Sequence, residues 1–143
     1  MICYNVIHPM QYVFHPDTET CTPVYSVYSE DYDQFYRNAA ADLERAKRVR
    51  DGILHDPTHP NWFDASFLPW LSYDALHIEL PDGFLYLAPI INWGKYREEN
   101  GRLMMPMSVR LNHAIADGFT IAKVFELLQN ETNRFVKERS IDP

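Results

Sequence analysis

The sequence LNHAIADG, residues 111–118, separates a stretch with strand-like composition from a stretch with helical periodicity. Histidine changes charge near neutral pH, so His113 at such a turn is suited to take a proton from an alcohol or a thiol. Asp117 can accept hydrogen bonds from the free N–H groups at the start of the following helix, or hold a cation, and in either way fix the loop. Gly118 allows the backbone to bend or another group to approach closely. A pattern this short also occurs by chance, and the alternative is an N-capping aspartate beside a buried histidine.

The length and composition predict one folded domain over residues 1–143. A chain of 143 residues is long enough for its own core, and its hydrophobic content of 46% and aromatic content of 14% are typical of a folded protein. No apolar run is long enough to span a bilayer, and the first residues lack the basic and apolar regions of a secretion signal. We therefore expect no membrane association.

Charge and cysteine content narrow the possible partners. With 13 basic and 20 acidic residues the formal net charge is -7, which argues against a nucleic-acid surface and an anionic membrane surface. Cys3 and Cys21 are too few for a disulfide framework or a zinc site, so a reducing cytoplasm is expected. His55 and His59 have no carboxylate or cysteine at ligand spacing, and no metal is predicted.

The N-terminal half reads as strands followed by a helix. Alternating or β-rich composition predicts strands within residues 2–6, 11–14 and 21–29, with a break at His8-Pro9. Ser29 is predicted to cap a helix whose apolar positions keep helical spacing up to Gly52.

The C-terminal half repeats that order. Extended structure is predicted for residues 65–80, a buried strand for 84–93, and a hairpin loop at 97–101 leading into a strand over 103–112. An amphipathic helix is predicted after Asp117 and Gly118. The fold class is therefore α/β or α+β, with a mixed or mainly antiparallel sheet covered by two helices.

Several longer stretches carry a resemblance to a known family. They are HPMQYVFHPDTETCTPVYSVYSEDYDQFY (8–36), SFLPWLSYDALHIEL (66–80), YLAPIINWGKY (86–96), the turn at 99–102, LMMPMSVRLNHAIADGF (103–119) and FELLQNETNRF (125–135). In order and spacing they resemble the chloramphenicol acetyltransferase family, trimeric enzymes that move an acetyl group from acetyl-CoA to a hydroxyl of the antibiotic. The co-linear match makes the resemblance far more specific than the histidine motif alone.

The resemblance implies a role for each matching residue. His113 matches the general base, Asp117 the aspartate that keeps the histidine loop in shape, and Ser66 the serine whose hydroxyl binds the oxyanion. Two further sets match the coenzyme A tunnel and the acceptor pocket: Trp70, Lys95 and Tyr96 for the coenzyme, and Cys21, Leu76, Ile78, Ile90 and Asn92 for the acceptor. Taken singly, Ser66 could be an ordinary loop serine, and Trp70 and the apolar residues could be core.

The sequence also departs from the family. The resemblance begins after the family's N-terminal segment, which carries the arginine that pairs with the motif aspartate, so we expect Asp117 to lack that partner. Within the site, polar or smaller residues replace the usual ones at five positions: Cys21, Asp64, His77, Asn92 and Asn112. The acceptor pocket is therefore expected to be more polar, which weakens chloramphenicol as the specific substrate.

Two functions remain open at this point. One is an acetyl-CoA-dependent O-acetyltransferase acting on a hydroxyl of chloramphenicol or a related small molecule, by direct transfer in a ternary complex. It would work as a homotrimer in which His113 of one subunit faces the acceptor pocket of its neighbour. The other is a truncated member of the family with little or no activity, acting as a coenzyme-A-binding or assembly module.

Overall fold

The computed structural model describes residues 2–50, 60–81, 83 and 85–139, and within these ranges the chain forms seven strands and two helices. In chain order the elements are β1 (His8–His15), β2 (Thr20–Tyr25), α1 (Tyr32–Ala46), β3 (Trp62–Leu68), β4 (Ile90–Gly94), β5 (Arg97–Glu99), β6 (Arg102–Met104), β7 (Met107–Arg110) and α2 (Gly118–Arg139).

Five strands form one mixed sheet in the order β2-β1-β3-β4-β7. Strand β3 runs parallel to both of its neighbours, β1 and β4, while the outer pairs β1–β2 and β4–β7 are antiparallel. Strands β5 and β6 form a separate hairpin, which confirms the turn predicted there. The α/β class with a mixed sheet is confirmed.

Helix α1 begins later than the sequence suggested. Asp31, not Ser29, is the N-cap, because its side chain accepts a hydrogen bond from the N–H of Gln34 at 3.0 Å. The Ser29 hydroxyl accepts from the N–H of Asp31 at 3.2 Å and so shapes the turn ahead of the helix. The helix ends at Ala46, so its predicted continuation towards Gly52 is wrong over residues 47–50, and Gly52 itself lies outside the described residues.

The predicted strand in residues 2–6 is wrong, because the described part of this segment pairs with no strand and is exposed. Alternation alone does not make a strand, since the backbone groups need a partner strand. The predicted break at His8-Pro9 is also wrong. Both residues lie in β1, where the Pro9 carbonyl accepts from the N–H of Ser26 at 3.1 Å.

Three predictions in the second half need correction. Residues 76–80 form no strand, although their alternation predicted one. Strand β4 begins only at Ile90, and Phe84, the predicted start, lies outside the described residues. The single strand predicted over 103–112 is divided into β6 and β7 around Pro106, which has no N–H to donate to a ladder.

The core of the sheet lies where α1 packs on β1 and β2. Val13, Val24 and Ala46 are buried together there, with Leu43 packed against them. A hydrogen-bond chain ties the end of α1 to the same strands: the Thr22 hydroxyl donates to the Val49 carbonyl at 2.9 Å. His15, 2% exposed, lies 2.8 Å from the Thr22 oxygen through Nε2 and must donate to it, since the hydroxyl hydrogen is already used.

The chain divides into two compact units, Met1–Arg110 and Leu111–Pro143. The first unit carries the sheets and α1. The second carries the histidine turn and α2.

Candidate active site

His113 lies in an exposed turn directly before α2. The Asn112 carbonyl accepts from the N–H groups of Ile115 and Ala116, at 3.0 and 3.2 Å, and the Asn112 side chain accepts from the N–H of Ala114 at 2.9 Å. These bonds close the backbone into a compact turn. Because His113 is exposed, it is not the buried histidine of the alternative interpretation.

One hydrogen bond fixes the orientation of the imidazole. His113 Nδ1 lies 2.9 Å from the carbonyl oxygen of Ala116. A carbonyl oxygen can only accept, so Nδ1 carries the hydrogen in this bond. Nε2 is then the ring nitrogen that can accept a proton, as a general base requires.

Asp117 is the N-cap of α2, as the sequence predicted. Its Oδ1 accepts from both the N–H and the hydroxyl of Thr120, each at 2.9 Å. These two bonds hold the pKa of Asp117 below its usual value, so the side chain is ionised at neutral pH. Among the described residues nothing lies within 4 Å of a Cβ built on Gly118, so the predicted close approach is not seen there.

Ser66 lies at one end of a polar row across the large sheet. It is paired in register with Asn92 on β4, and Asn92 is paired with Ser108 on β7. Residues paired in register point to the same face of a sheet, so these three small polar side chains are neighbours. Asn92 is buried, and its backbone carbonyl accepts from the Tyr73 hydroxyl at 2.9 Å.

The segments that carry the predicted coenzyme residues meet at one end of β3 and β4. Trp70 lies in the turn after β3, and the N–H of Lys95, just after β4, donates to the Leu71 carbonyl at 2.6 Å. Trp70 and Tyr96 are 63% and 61% exposed. The rings of Trp70 and Phe14 pack edge to face, with 5.1 Å between ring centroids.

Gly94 makes this meeting of segments possible. A Cβ built on Gly94 would lie 2.6 Å from the Leu71 carbonyl oxygen and 2.8 Å from a ring carbon of Tyr73. Both distances are shorter than van der Waals contact, so only glycine lets the backbone after β3 approach β4 so closely.

The residues predicted to line the acceptor pocket are not all brought together. Ile90 and Asn92 are buried on one face of β4. Leu76 and Ile78 are half-buried in a segment without strand structure. Cys21 is exposed on β2, the outermost strand, and β1 and β3 lie between it and β4.

A buried carboxylate with two tyrosine partners was not predicted as a unit. Asp64, 5% exposed, lies on β3 and accepts from the Tyr12 hydroxyl through Oδ1 and from the Tyr86 hydroxyl through Oδ2, both at 2.5 Å. Trp62 Nε1 lies 3.4 Å from the Tyr86 oxygen. Asp64 is one of the departures from the family, but Tyr12 and Tyr86 are far from it in sequence and meet it only in the folded chain.

The environment of this cluster keeps both phenols neutral. Burial first, and then the hydrogen bond to Asp64, raise the pKa of Tyr86 to about 12. The same two causes raise the pKa of Tyr12 further above its ordinary range. On the same sheet row, Ile90 separates Asp64 from Arg110, whose Nη1 is buried without a hydrogen-bond partner among the described residues.

No group of three or more histidine, cysteine or acidic side chains is arranged to hold a metal ion in the ranges that the structure covers. No helix in those ranges is long and apolar enough to cross a membrane.

Comparison with solved structures identifies the fold. A structure of a chloramphenicol acetyltransferase superposes with a TM-score of 0.69 at 20% sequence identity, covering 83% of this chain and 58% of that one. The fold is therefore that of an acetyltransferase of this kind. Residues 1–129 match the family described as chloramphenicol acetyltransferase, and the chain belongs to that family.

Individual relatives agree with this assignment. The chain is 39% identical over 126 residues to the chloramphenicol acetyltransferase of Streptomyces acrimycini, covering 88% of this chain and 57% of the relative. It is 35% identical over 137 residues to chloramphenicol acetyltransferase 3 of Escherichia coli, covering 96% and 64%. The chain thus spans about three-fifths of the length of these relatives.

Proposed function

We propose that the protein is an acetyl-CoA-dependent O-acetyltransferase whose acceptor is a hydroxyl group of chloramphenicol or of a related small molecule. Membership of the family supports the class of reaction. The observation that carries the proposal is the bond from His113 Nδ1–H to the Ala116 carbonyl, which makes Nε2 the ring nitrogen that can accept a proton. A histidine oriented in this way has the chemistry that acetyl transfer to an alcohol requires.

In the proposed mechanism His113 Nε2 takes the proton of the acceptor hydroxyl. The acceptor oxygen attacks the thioester carbonyl of acetyl-CoA and forms a tetrahedral intermediate. The Ser66 hydroxyl donates to the negatively charged oxygen of that intermediate, a role suited to a side chain fixed on a central strand. The carbon–sulfur bond then breaks, and the imidazolium returns its proton to the coenzyme A thiolate. Acetyl ester and free thiol are released, and no acyl-enzyme or metal takes part.

The substrate sites are assigned by the chemistry of the side chains. Trp70 and Tyr96 offer exposed aromatic faces beside the cation of Lys95, which suits a coenzyme with an adenine ring and phosphates. The acceptor is assigned to the face of β4 with Ile90 and Asn92. The other residues predicted to line the acceptor pocket are Cys21, Leu76 and Ile78.

The proposed assembly is a homotrimer in which His113 of one subunit serves the acceptor pocket of the next. The family resemblance supports it, and a mass measurement in solution tests it. We place the protein in the cytoplasm, since Cys3 and Cys21 are both free and exposed.

The function is tested by following thiol release from acetyl-CoA with chloramphenicol and a panel of other alcohols. His113→Ala is expected to lower turnover by about 10²- to 10⁴-fold, the usual contribution of a general base. Gln129→Ala is the matched control, because Gln129 is an exposed residue of α2 whose side chain donates to Asn133 one turn further along the same helix. Substantial turnover by a folded His113→Ala variant would contradict the mechanism.

The second candidate is a coenzyme-A-binding or assembly module with little activity. The observation in its favour is the exposed pair Trp70 and Tyr96, whose aromatic faces suit coenzyme binding with or without acetyl transfer. Binding of coenzyme A, followed by tryptophan fluorescence and reduced in Trp70→Phe, together with an absence of turnover, would favour this candidate over the enzyme.

A further inference from the structure

The Asp64 cluster lies beside the proposed site of chemistry. Asp64 and Ser66 are two residues apart on β3, so their side chains share a face at a separation of about 6.6 Å along the strand. Asp64 is paired in register with Ile90, which is assigned to the acceptor wall. An acceptor bound on this face would therefore contact the cluster and the proposed oxyanion donor together.

The hydrogen-bond direction in the cluster is fixed by the carboxylate. The Tyr12 and Tyr86 hydroxyls both donate to Asp64, so both hydroxyl hydrogens point at the carboxyl group. Neither hydroxyl hydrogen is left for a further acceptor. Towards a ligand, the two tyrosines therefore act only as hydrogen-bond acceptors.

Tyr12 is the part of the cluster that a ligand reaches most easily. It is 40% exposed, whereas Asp64 is buried beneath it, and Trp62 Nε1 already lies near the Tyr86 oxygen. Asp64 is thus a positioning residue, which sets the direction of the tyrosine hydroxyls and adds a negative charge behind them.

We propose that Tyr12 and Tyr86, oriented by Asp64, bind a hydrogen-bond donor on the acceptor, so that the enzyme selects acceptors with a second hydroxyl or an ammonium group near the reacting hydroxyl. This inference rests on the proposed function, because it names the acceptor class of the same site. An acceptor whose corresponding group only accepts hydrogen bonds would face lone pairs and bind weakly.

Four alcohols on one skeleton test the inference. Phenethyl alcohol has only the reacting hydroxyl, styrene glycol adds a neutral hydroxyl, phenylglycinol adds an ammonium, and the secondary methyl ether of styrene glycol adds only an acceptor. The wild type is expected to prefer styrene glycol or phenylglycinol over phenethyl alcohol by about tenfold in kcat/KM, and to gain nothing from the methyl ether. The ranking of glycol against phenylglycinol tells a neutral donor from a cationic one.

Asp64→Asn is the decisive variant. The new amide N–H donates to one tyrosine oxygen, and the hydroxyl hydrogen of that tyrosine must then turn outward. The tenfold preference for acceptors with a hydrogen-bond donor is expected to disappear, and kcat/KM for the methyl ether is expected to rise. Tyr12→Phe removes the exposed oxygen and should also abolish the preference, which covers the case in which Asp64→Asn does not fold. Tyr36→Phe on α1, an exposed tyrosine stacked on Tyr32, is the control and should keep it.

Dissociation constants of the same compounds, measured by calorimetry, separate this inference from the proposed function. Binding that favours donors and loses this preference in Asp64→Asn supports the inference even without turnover. If the wild type, Asp64→Asn and Tyr12→Phe all show the same preference among the four compounds, by turnover or by binding, the inference is wrong. This outcome would leave the transferase proposal untouched.

Discussion

Replacing Gly94 by alanine adds a methyl group where β4 meets the turn that follows β3. The new Cβ would lie 2.6 Å from the Leu71 carbonyl oxygen, 2.8 Å from Tyr73 Cε1 and 3.0 Å from Pro106 Cγ. A side chain can rotate away, but the Leu71 oxygen belongs to the backbone and also accepts from the N–H of Lys95. The substitution must therefore move the backbone or break that bond.

The cost follows from these contacts. Crowding of this kind costs about 1–3 kcal/mol, and the weakened Leu71–Lys95 bond about 0.5–1.5 kcal/mol more. Alanine offsets roughly 0.4–1 kcal/mol by restricting the unfolded chain, since Gly94 has no positive φ that alanine would strain. We expect a net loss of about 0.5–4 kcal/mol in the free energy of unfolding, and with it a displacement of Trp70 relative to Lys95.

Urea unfolding followed by circular dichroism measures this loss, and the midpoint is expected to fall by about 1 M. Gly118→Ala is the matched control, because a Cβ there meets open space among the described residues and the backbone is not left-handed. If Gly94→Ala is as stable as the wild type, the close approach of Leu71 to β4 does not constrain this position, and the explanation given for the glycine is wrong.

Two further predictions concern α1 and the tyrosine cluster. Asp31→Ala should lower the free energy of unfolding by about 1 kcal/mol and Ser29→Ala by less, in the same urea assay; equal losses would contradict the assignment of the cap. The pKa of Tyr86 is about 12 in the folded protein, against an ordinary value of 10.0. The protonated Tyr86 hydroxyl therefore contributes in full to the free energy of unfolding below pH 10, and this contribution is lost as the pH rises towards 12. Alkaline absorbance titration should show late ionisation that moves towards pH 10 in Asp64→Asn, and unchanged curves would refute the coupling.

The sequence predicted the elements that carry a strong local signal. Helix α1 has apolar residues at helical spacing, and Asp117 was placed correctly as a cap because its position before an amphipathic run is a local feature. The cap of α1 was misplaced by two residues, since Ser29 and Asp31 are both good capping residues and local sequence does not decide between them.

Long-range pairing was beyond local patterns. Residues 2–6 and 76–80 alternate as a strand does, yet neither range pairs with another strand in the described structure. The candidate site shows the same limit. Ser66 was identified by resemblance, but its place beside Asn92 and the meeting of Asp64 with two distant tyrosines depend on the register of β3 with β4 and β1.

The parallel pairing of β3 on both sides has a kinetic consequence. The β1–β2 hairpin closes through a short turn, whereas β3 reaches β1 and β4 only after long stretches of intervening chain. Contacts between residues far apart in sequence form slowly, because the loop-closure entropy is lost before they stabilise the chain. Ser66 and Asp64 therefore reach their final surroundings late in folding, and refolding should restore the hairpin and α1 before it restores acceptor binding.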